Sequence, residues 1–369
     1  MVKNAMIRIN AVVNREYITS LVEKLFFNGI RAVYIENGRA NMLKDKKAIF
    51  SIDDKKKLIN DPFEVLNFFV SPKEEINALK LIDDELNFAT PGKGSVYSSE
   101  SGILRQHDDI IRNSDFRYEH DGTFVPHSDL SGISCIVQRG HGDEIAYLVL
   151  DSGISVPVLT YGSGTGFRDK LGLLRITIPA EKEIITLMMS KYDVEAVMEL
   201  MIIKGKLSQP GKGFIYDFPV RYGFVNTKIS TGASGQVASQ EQIISAIDSL
   251  KGGIGWRKSK VDRIASANLN YLKDLTELNL VCNEGYGADL VKVAMQNGAS
   301  GATLSAMKFK GNGEAAARFL PSLEICRMIV AKQSVEPIAA ALEGEGAFGA
   351  NSQGFLFTQK VKKAYTYSN

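Results

Sequence analysis

Apolar and polar positions alternate along this chain in an order that returns three times. Ile7 to Val13 has the pattern of a strand, and Ile18, Leu21, Val22, Leu25 and Phe26 then fall on one face of a helix that ends at Asn28-Gly29. A β-branched run, Ile30 to Ile35, follows. The same order reappears at Ile133 to Val137, Asp143 to Leu150, Ser152-Gly153 and Val156 to Thr160. It comes again at Leu278 to Cys282, Ala288 to Met295, Asn297-Gly298 and Ala302 to Ser305. Each helix stops at a glycine, the residue that takes the left-handed conformation past a helix end without a Cβ penalty. From strand start to that glycine the interval is 22, 20 and 20 residues.

The second halves correspond as well. Strands Glu64 to Val70, Glu183 to Met189 and Leu323 to Val330 lead into helical patterns over Lys73 to Leu86, Val194 to Lys204 and Val335 to Leu342. A turn and a last strand close each one: Pro91-Gly92-Lys93-Gly94-Ser95-Val96-Tyr97, Pro210-Gly211-Lys212-Gly213-Phe214-Ile215-Tyr216, and Asn351-Ser352-Gln353-Gly354-Phe355-Leu356-Phe357. Only the middle varies, with 42, 37 and 33 residues between the helix-ending glycine and the end of the third strand. A constant frame around one variable loop places specificity in the loop.

The fold class this implies is α+β, as three tandem ferredoxin-like βαββαβ units of about 95 residues each. Two helices cover one face of each small sheet and leave the other face, expected to be apolar, in need of a cover. Three units burying those faces together make a single-chain pseudo-trimer, and the chain is then expected to be a monomer; the alternative is three independent units in a row. The units are expected over 1–100, 132–225 and 276–369. Between them lie a polar insert, 101–131, and a second insert, 226–275, with a helix at Ser239 to Leu250 and a basic stretch at Trp256-Arg257-Lys258.

Composition narrows the function classes. Lys+Arg 44 against Asp+Glu 42 leaves a net charge of +2, which gives no bulk attraction to nucleic acid. Cys135, Cys282 and Cys326 lie in apolar strand-like runs without metal-type spacing, so buried, reduced thiols in a cytoplasmic protein are expected. No stretch of 18 apolar residues occurs and the first ten residues lack a secretory pattern, so neither membrane spanning nor secretion is expected.

The βαββαβ unit with a variable central loop and a Gly-rich turn before its last strand resembles the PII signalling superfamily, that of the nitrogen regulatory protein P-II. The resemblance covers all three units and omits the inserts. It is strongest over Ile184 to Pro219, and Gly298-Ala299-Ser300-Gly301-Ala302-Thr303 looks like the family's G-x-x-G-x-T segment. The resemblance implies a compact trimeric arrangement that binds adenine nucleotides in clefts between units and controls a partner through its loops. It implies a ligand such as ATP, ADP, AMP or a related adenine nucleotide, and no required cofactor. Partners in the family are transporters, metabolic enzymes and transcription regulators.

Residues carry over position by position. Gly164-Thr165-Gly166 stands at the family's loop base and Gly211-Lys212-Gly213 in its turn, so Gly164, Gly166, Gly211, Lys212 and Gly213 are the first-choice anion site, between these two loops. Glycines there let backbone N–H groups approach an anion closely. Thr303 matches a position that contacts adenine, and Gly92, Lys93 and Gly94 form the corresponding turn of the first unit.

The departures are informative. The family's phosphate-binding Lys after the second glycine is replaced by Ser95, Phe214 and Phe355, so Lys93 or Lys212 must supply the charge. Lys44, Arg168 and Gly313 stand where the family has the Gln used for 2-oxoglutarate, and no tyrosine lies in the loops Gly38 to Pro62, Thr165 to Lys182 or Phe309 to Pro321. Sensing of 2-oxoglutarate and tyrosine uridylylation are therefore not expected. The arginine pair that follows the family's last strand is not recognisable here, and Arg105 and Arg221 are stand-ins at most.

No P-loop and no H-E-x-x-H is found, and the histidines at His107, His120 and His127 have irregular spacing for a metal. The chain is expected not to be an enzyme. Two other classes stay open: an adaptor without a ligand, and an enzyme working in a cleft between units.

Overall fold

The computed structural model describes residues 4–44, 57–88, 90, 92–107, 116–120, 122, 124–165, 181–226, 230–231, 269–313 and 321–367. Gly166, the expected insert helix at 239–250 and the basic stretch at 256–258 lie outside them. The first run of elements is β1 (Asn4–Asn14), α1 (Ile18–Phe27), β2 (Ala32–Lys44), β3 (Lys57–Val70), α2 (Glu75–Leu86) and β4 (Gly94–Gln106). The second is β5 (Leu130–Gln138), α3 (Gly142–Ser152), β6 (Val158–Thr165), β7 (Glu181–Ser190), α4 (Val194–Lys204) and β8 (Gly213–Pro219), followed by the short β9 (Gly223–Phe224) and β10 (Ser230–Thr231). The third is β11 (Leu275–Asn283), α5 (Gly287–Gln296), β12 (Ala302–Gly311), β13 (Ser322–Ala331), α6 (Val335–Gly344) and β14 (Phe355–Lys360), ending in β15 (Lys363–Thr366). The glycines after α1, α3 and α5 all take positive φ: Gly29 at 90°, Gly153 at 73° and Gly298 at 113°. The helix stops read from the sequence thus have their backbone cause.

Among the described residues all strands join one 15-stranded, almost wholly antiparallel sheet. Within it the order β2-β3-β1-β4 is matched by β6-β7-β5-β8 and by β12-β13-β11-β14. Alternation along each strand sends one set of side chains towards the helices. Ile7, Ile9, Ala11 and Val13 of β1 pack with Leu21 and Leu25 of α1 and Leu79 and Ile82 of α2. Parallel sets form around Val149 and Met198 in the second run and around Val291 and Ile338 in the third. Each such buried aliphatic side chain contributes about 1.5–3 kcal/mol.

The runs are tied together cyclically. The end of β4 pairs with β14, β9 pairs with the start of β4, and β15 pairs with β8. The second strands close a ring of their own: Lys308 to Gly311 of β12 lie on Ala32 to Ile35 of β2, Gly38 to Ala40 of β2 on Val158 to Thr160 of β6, and Ser163 to Thr165 of β6 on Ala302 to Leu304 of β12. Every run therefore gives strand ends to both others.

Three differences from the sequence expectation stand out. β4 continues to Gln106, past the expected boundary at residue 100, because its far half is the partner of β14. The stretch Gly38 to Pro62 is not all loop: β2 and β3 pair as a ribbon out to Lys44 and Lys57. The faces away from the helices are not simply apolar either. They hold aromatic clusters around Tyr34, Phe309 and Phe355, and around Tyr97, Tyr216 and Phe218, but also buried Arg8, Glu36, Asn279 and Glu277. Phe218 presses on Gly132 so closely that an added Cβ would sit 2.1 Å from its ring.

Candidate functional site

Gly164 lies near the end of β6 directly opposite Thr303 of β12, so two of the expected residues meet where the second run joins the third. Thr303 is buried. A Cβ on Gly164 would meet the side chain of Lys182, its Cε 2.7 Å away. Gly211, Lys212 and Gly213 sit at the other edge of the same four strands, where Gly213 faces Val137 of β5. Three strand spacings, about 14 Å, separate the two loops across the sheet. The expected site between them is therefore divided into two places.

At the second place the turn is held on both sides. Gln138 Nε2 donates to the Gly211 carbonyl at 2.9 Å, and Thr366 Oγ1 donates to the Gly213 carbonyl at 3.2 Å. Lys212 lines a cavity of about 130 Å³ together with Lys206, Gly205, His141, Glu144, Val137 and Ile145. Lys206 is held at a φ of 56°, a conformation that a non-glycine residue adopts only at a cost. Two lysines, a histidine and one glutamate give this concavity an excess of positive charge. Its volume is well below the roughly 300 Å³ of pockets that enclose a drug-sized ligand. A small anion, or the phosphate end of a larger one, matches both the charge and the size.

The first run's turn differs. Lys93 Nζ donates to Tyr17 Oη at 2.7 Å and lies 3.9 Å from the centre of the same ring, while the Gly92 N–H donates to Asn226 Oδ1 at 3.3 Å. Gly94 is pressed against β1, since a Cβ there would stand 2.0 Å from the Val12 carbonyl. Nearby, where the first run meets the second, a cavity among Val12, Ser95, Val156, Val158, Thr186, Met188 and Asn226 has only about 10 Å³. That is room for one water at most. Arg105 and Arg221 are also engaged: Arg105 with Glu336 at 2.6 Å and Glu343 at 2.7 Å, and Arg221 with the buried carboxylate of Glu75 at 2.9 Å. Both brace one run against another rather than facing an open cleft.

One feature of the site escaped the sequence: a carboxylate at one register position in each run. Glu64 faces Val13, Glu183 faces Val137 and Glu324 faces Cys282. Glu183 Oε2 accepts the N–H groups of Gly140 and Gly142 at 3.0 and 2.8 Å, and Glu324 Oε2 accepts that of Gly287 at 2.9 Å. These amides belong to the turns that start α3 and α5, so the carboxylates anchor the turn beside His141 and its counterpart. Cations from neighbouring runs reach two of them. Arg39 of β2 meets Asp143 at 2.9 Å and Glu183 at 3.4 Å, and Lys308 of β12 stands 3.8 Å from Glu64. The signal was present as Phe-Glu-Val, Lys-Glu-Ile and Leu-Glu-Ile at the head of the apolar part of each third strand.

Among the described residues no cluster of His, Cys, Asp and Glu has the arrangement of a metal site, and no helix is long and apolar enough to cross a membrane. The three cysteines are free and buried. No protein-family model and no curated protein matches the chain. Among the solved structures that match is one of GlnK from B. subtilis, at 14% identity and a TM-score of 0.25, covering 29% of this chain and 93% of that one. The chain's own strands and helices give it a mixed α/β architecture built on a large antiparallel sheet, with a basic cavity at Lys212 as its candidate site.

Proposed function

We propose that this chain is a PII-like signalling protein of the cytoplasm, in which three ferredoxin-like units over 1–100, 132–225 and 276–369 form a pseudo-trimer within one chain. It binds an adenine nucleotide or a small anion and controls a partner protein through its variable loops, without catalysis. The cyclic strand exchange supports the arrangement, because each run both gives and receives one terminal strand. The observation that carries the ligand is the basic cavity at Lys212, next to the turn that Glu183 anchors. An anion there bears on the turn at 140–142, and through Glu183 on Arg39 of the β2–β3 ribbon. Binding and loop position are then linked through contacts within the fold.

Calorimetry with ATP, ADP, AMP and inorganic phosphate tests this, alongside the Lys212→Ala variant. Saturable binding by at least one of them, weakened about tenfold or more by Lys212→Ala, is the expected result, since a charge-assisted contact contributes about 1.5–3 kcal/mol. No binding by any of the four removes the ligand from the proposal. A second reading, an adaptor that works by contact alone, is favoured by the capture of Lys93 by Tyr17 and by the small size, about 10 Å³, of the cavity between the first and second runs.

A further inference from the structure

Charge on the inner faces is distributed unevenly over the three runs. With Glu64, Glu183 and Glu324 as the register marks, Asn67, Thr186 and Arg327 occupy one equivalent position on the third strands. Glu36, Thr160 and Ser305 occupy one on the second strands, opposite Val65, Ile184 and Ile325. Arg327 Nη2 donates to Glu36 Oε1, joining the third run to the first, and Arg327 Nη1 donates to Ser305 Oγ at 3.1 Å. Their side chains are 11% and 3% exposed. The equivalent combinations elsewhere in the ring are Asn67 with Thr160 and Thr186 with Ser305, both uncharged.

We propose that the buried Arg327–Glu36 pair is a registry device that admits one cyclic order of the three units and disfavours contact between like units of two copies. In the reverse order Arg327 would face Thr160 and Glu36 would face Thr186. Between two copies of the first unit Glu36 would face Asn67, and between two copies of the third Arg327 would face Ser305. Every alternative takes from Arg327 and Glu36 their hydrogen-bonded partner and leaves Arg327 the attraction of Glu277 in its own run, whereas an intact buried pair contributes little net stability. Selectivity, rather than strength, is what such a pair supplies, as a single buried polar residue does in a coiled coil. The neighbouring position acts in the same sense: Arg8, Gly132 and Glu277 are equivalent in register, and Arg8 donates to Gln359 of the third run at 3.4 Å and to Asn67 of its own at 2.9 Å. This inference rests on the three-unit arrangement proposed above and on strand register, and is independent of any ligand.

The test uses the full chain with Glu36→Met, Arg327→Met, the double variant and the shape-conserving Glu36→Gln. Each protein is unfolded in urea, refolded by dilution over a range of concentrations, and compared with its never-denatured form by size exclusion with light scattering. Both single Met variants should melt below the double variant, which removes both halves of the pair and leaves Arg8 to offset Glu277. The parent chain should return to its starting species. The double variant and Glu36→Gln should instead give a mixture whose higher-mass part grows with concentration. Refolding of both of these as cleanly as the parent overturns the proposal, as do single-variant melting temperatures equal to the parent's.

Discussion

Removing the Glu183 carboxylate tests how the candidate site is supported. In Glu183→Ala the buried Gly142 N–H, now 2.8 Å from Oε2, is left without an acceptor. A buried donor in that state costs about 1–3 kcal/mol. The Gly140 N–H, 3.0 Å from the same oxygen, belongs to an exposed residue and can turn to water, so it adds less. Arg39 loses a 3.4 Å contact but keeps Asp143 at 2.9 Å, so its guanidinium is not left without a carboxylate. The total is about 2–4 kcal/mol. Glu183→Gln keeps one oxygen acceptor for the turn and should lose about 1 kcal/mol. Urea unfolding monitored by circular dichroism gives both values, and the slope with denaturant should not change, because the folded surface is the same. Hydrogen exchange at Gly142 should accelerate in the Ala variant. A loss under about 0.5 kcal/mol, the range of an ordinary surface substitution, refutes the anchoring role. So does an equal loss in the Gln and Ala variants.

Two further outcomes follow from the inner faces. Gly132→Ala forces a methyl into the ring of Phe218, where 2.1 Å is available, and should lower stability by about 1–3 kcal/mol; Phe218→Leu in the same chain should restore part of it in a thermal melt. Burial raises the carboxyl pKa of Glu277, and the charges of Arg327 and Arg8 and the Tyr216 hydrogen bond only partly offset this. The folded state then holds its proton more tightly than the unfolded one, so this group's favourable term is complete below about 4.5 and is lost as pH rises through the folded pKa. Glu277→Gln should remove that slope, and parallel pH–stability profiles for the parent and the variant would contradict the sign.

Much of the fold was legible because its cues are local. Leu21, Val22 and Leu25 declare a helix face, and Gly29, Gly153 and Gly298 end their helices for the reason the sequence suggests. β4 was read too short because Ser98 to Gln106 is polar, and its strand character comes from a partner, β14, far along the chain. The site was legible in part. Lys212 does line a cavity, but the lysine that shares it, Lys206, lies outside the Gly-rich turn that drew attention. Lys93 looked equivalent to Lys212 in sequence and is not equivalent in space, because Tyr17 captures it.

Period, helix stops and the order of strands and helices were determined by the sequence itself, since each depends on side chains within a few turns or residues of one another. Tertiary structure decided which faces meet and which cations are spent. Arg39 and Glu183 are 144 residues apart and Arg327 and Glu36 291 apart, so neither partner's environment can be inferred from its own neighbours in the chain. A charge's role depends on what shares its low-dielectric surroundings, and only the closed ring of strands brings those groups together.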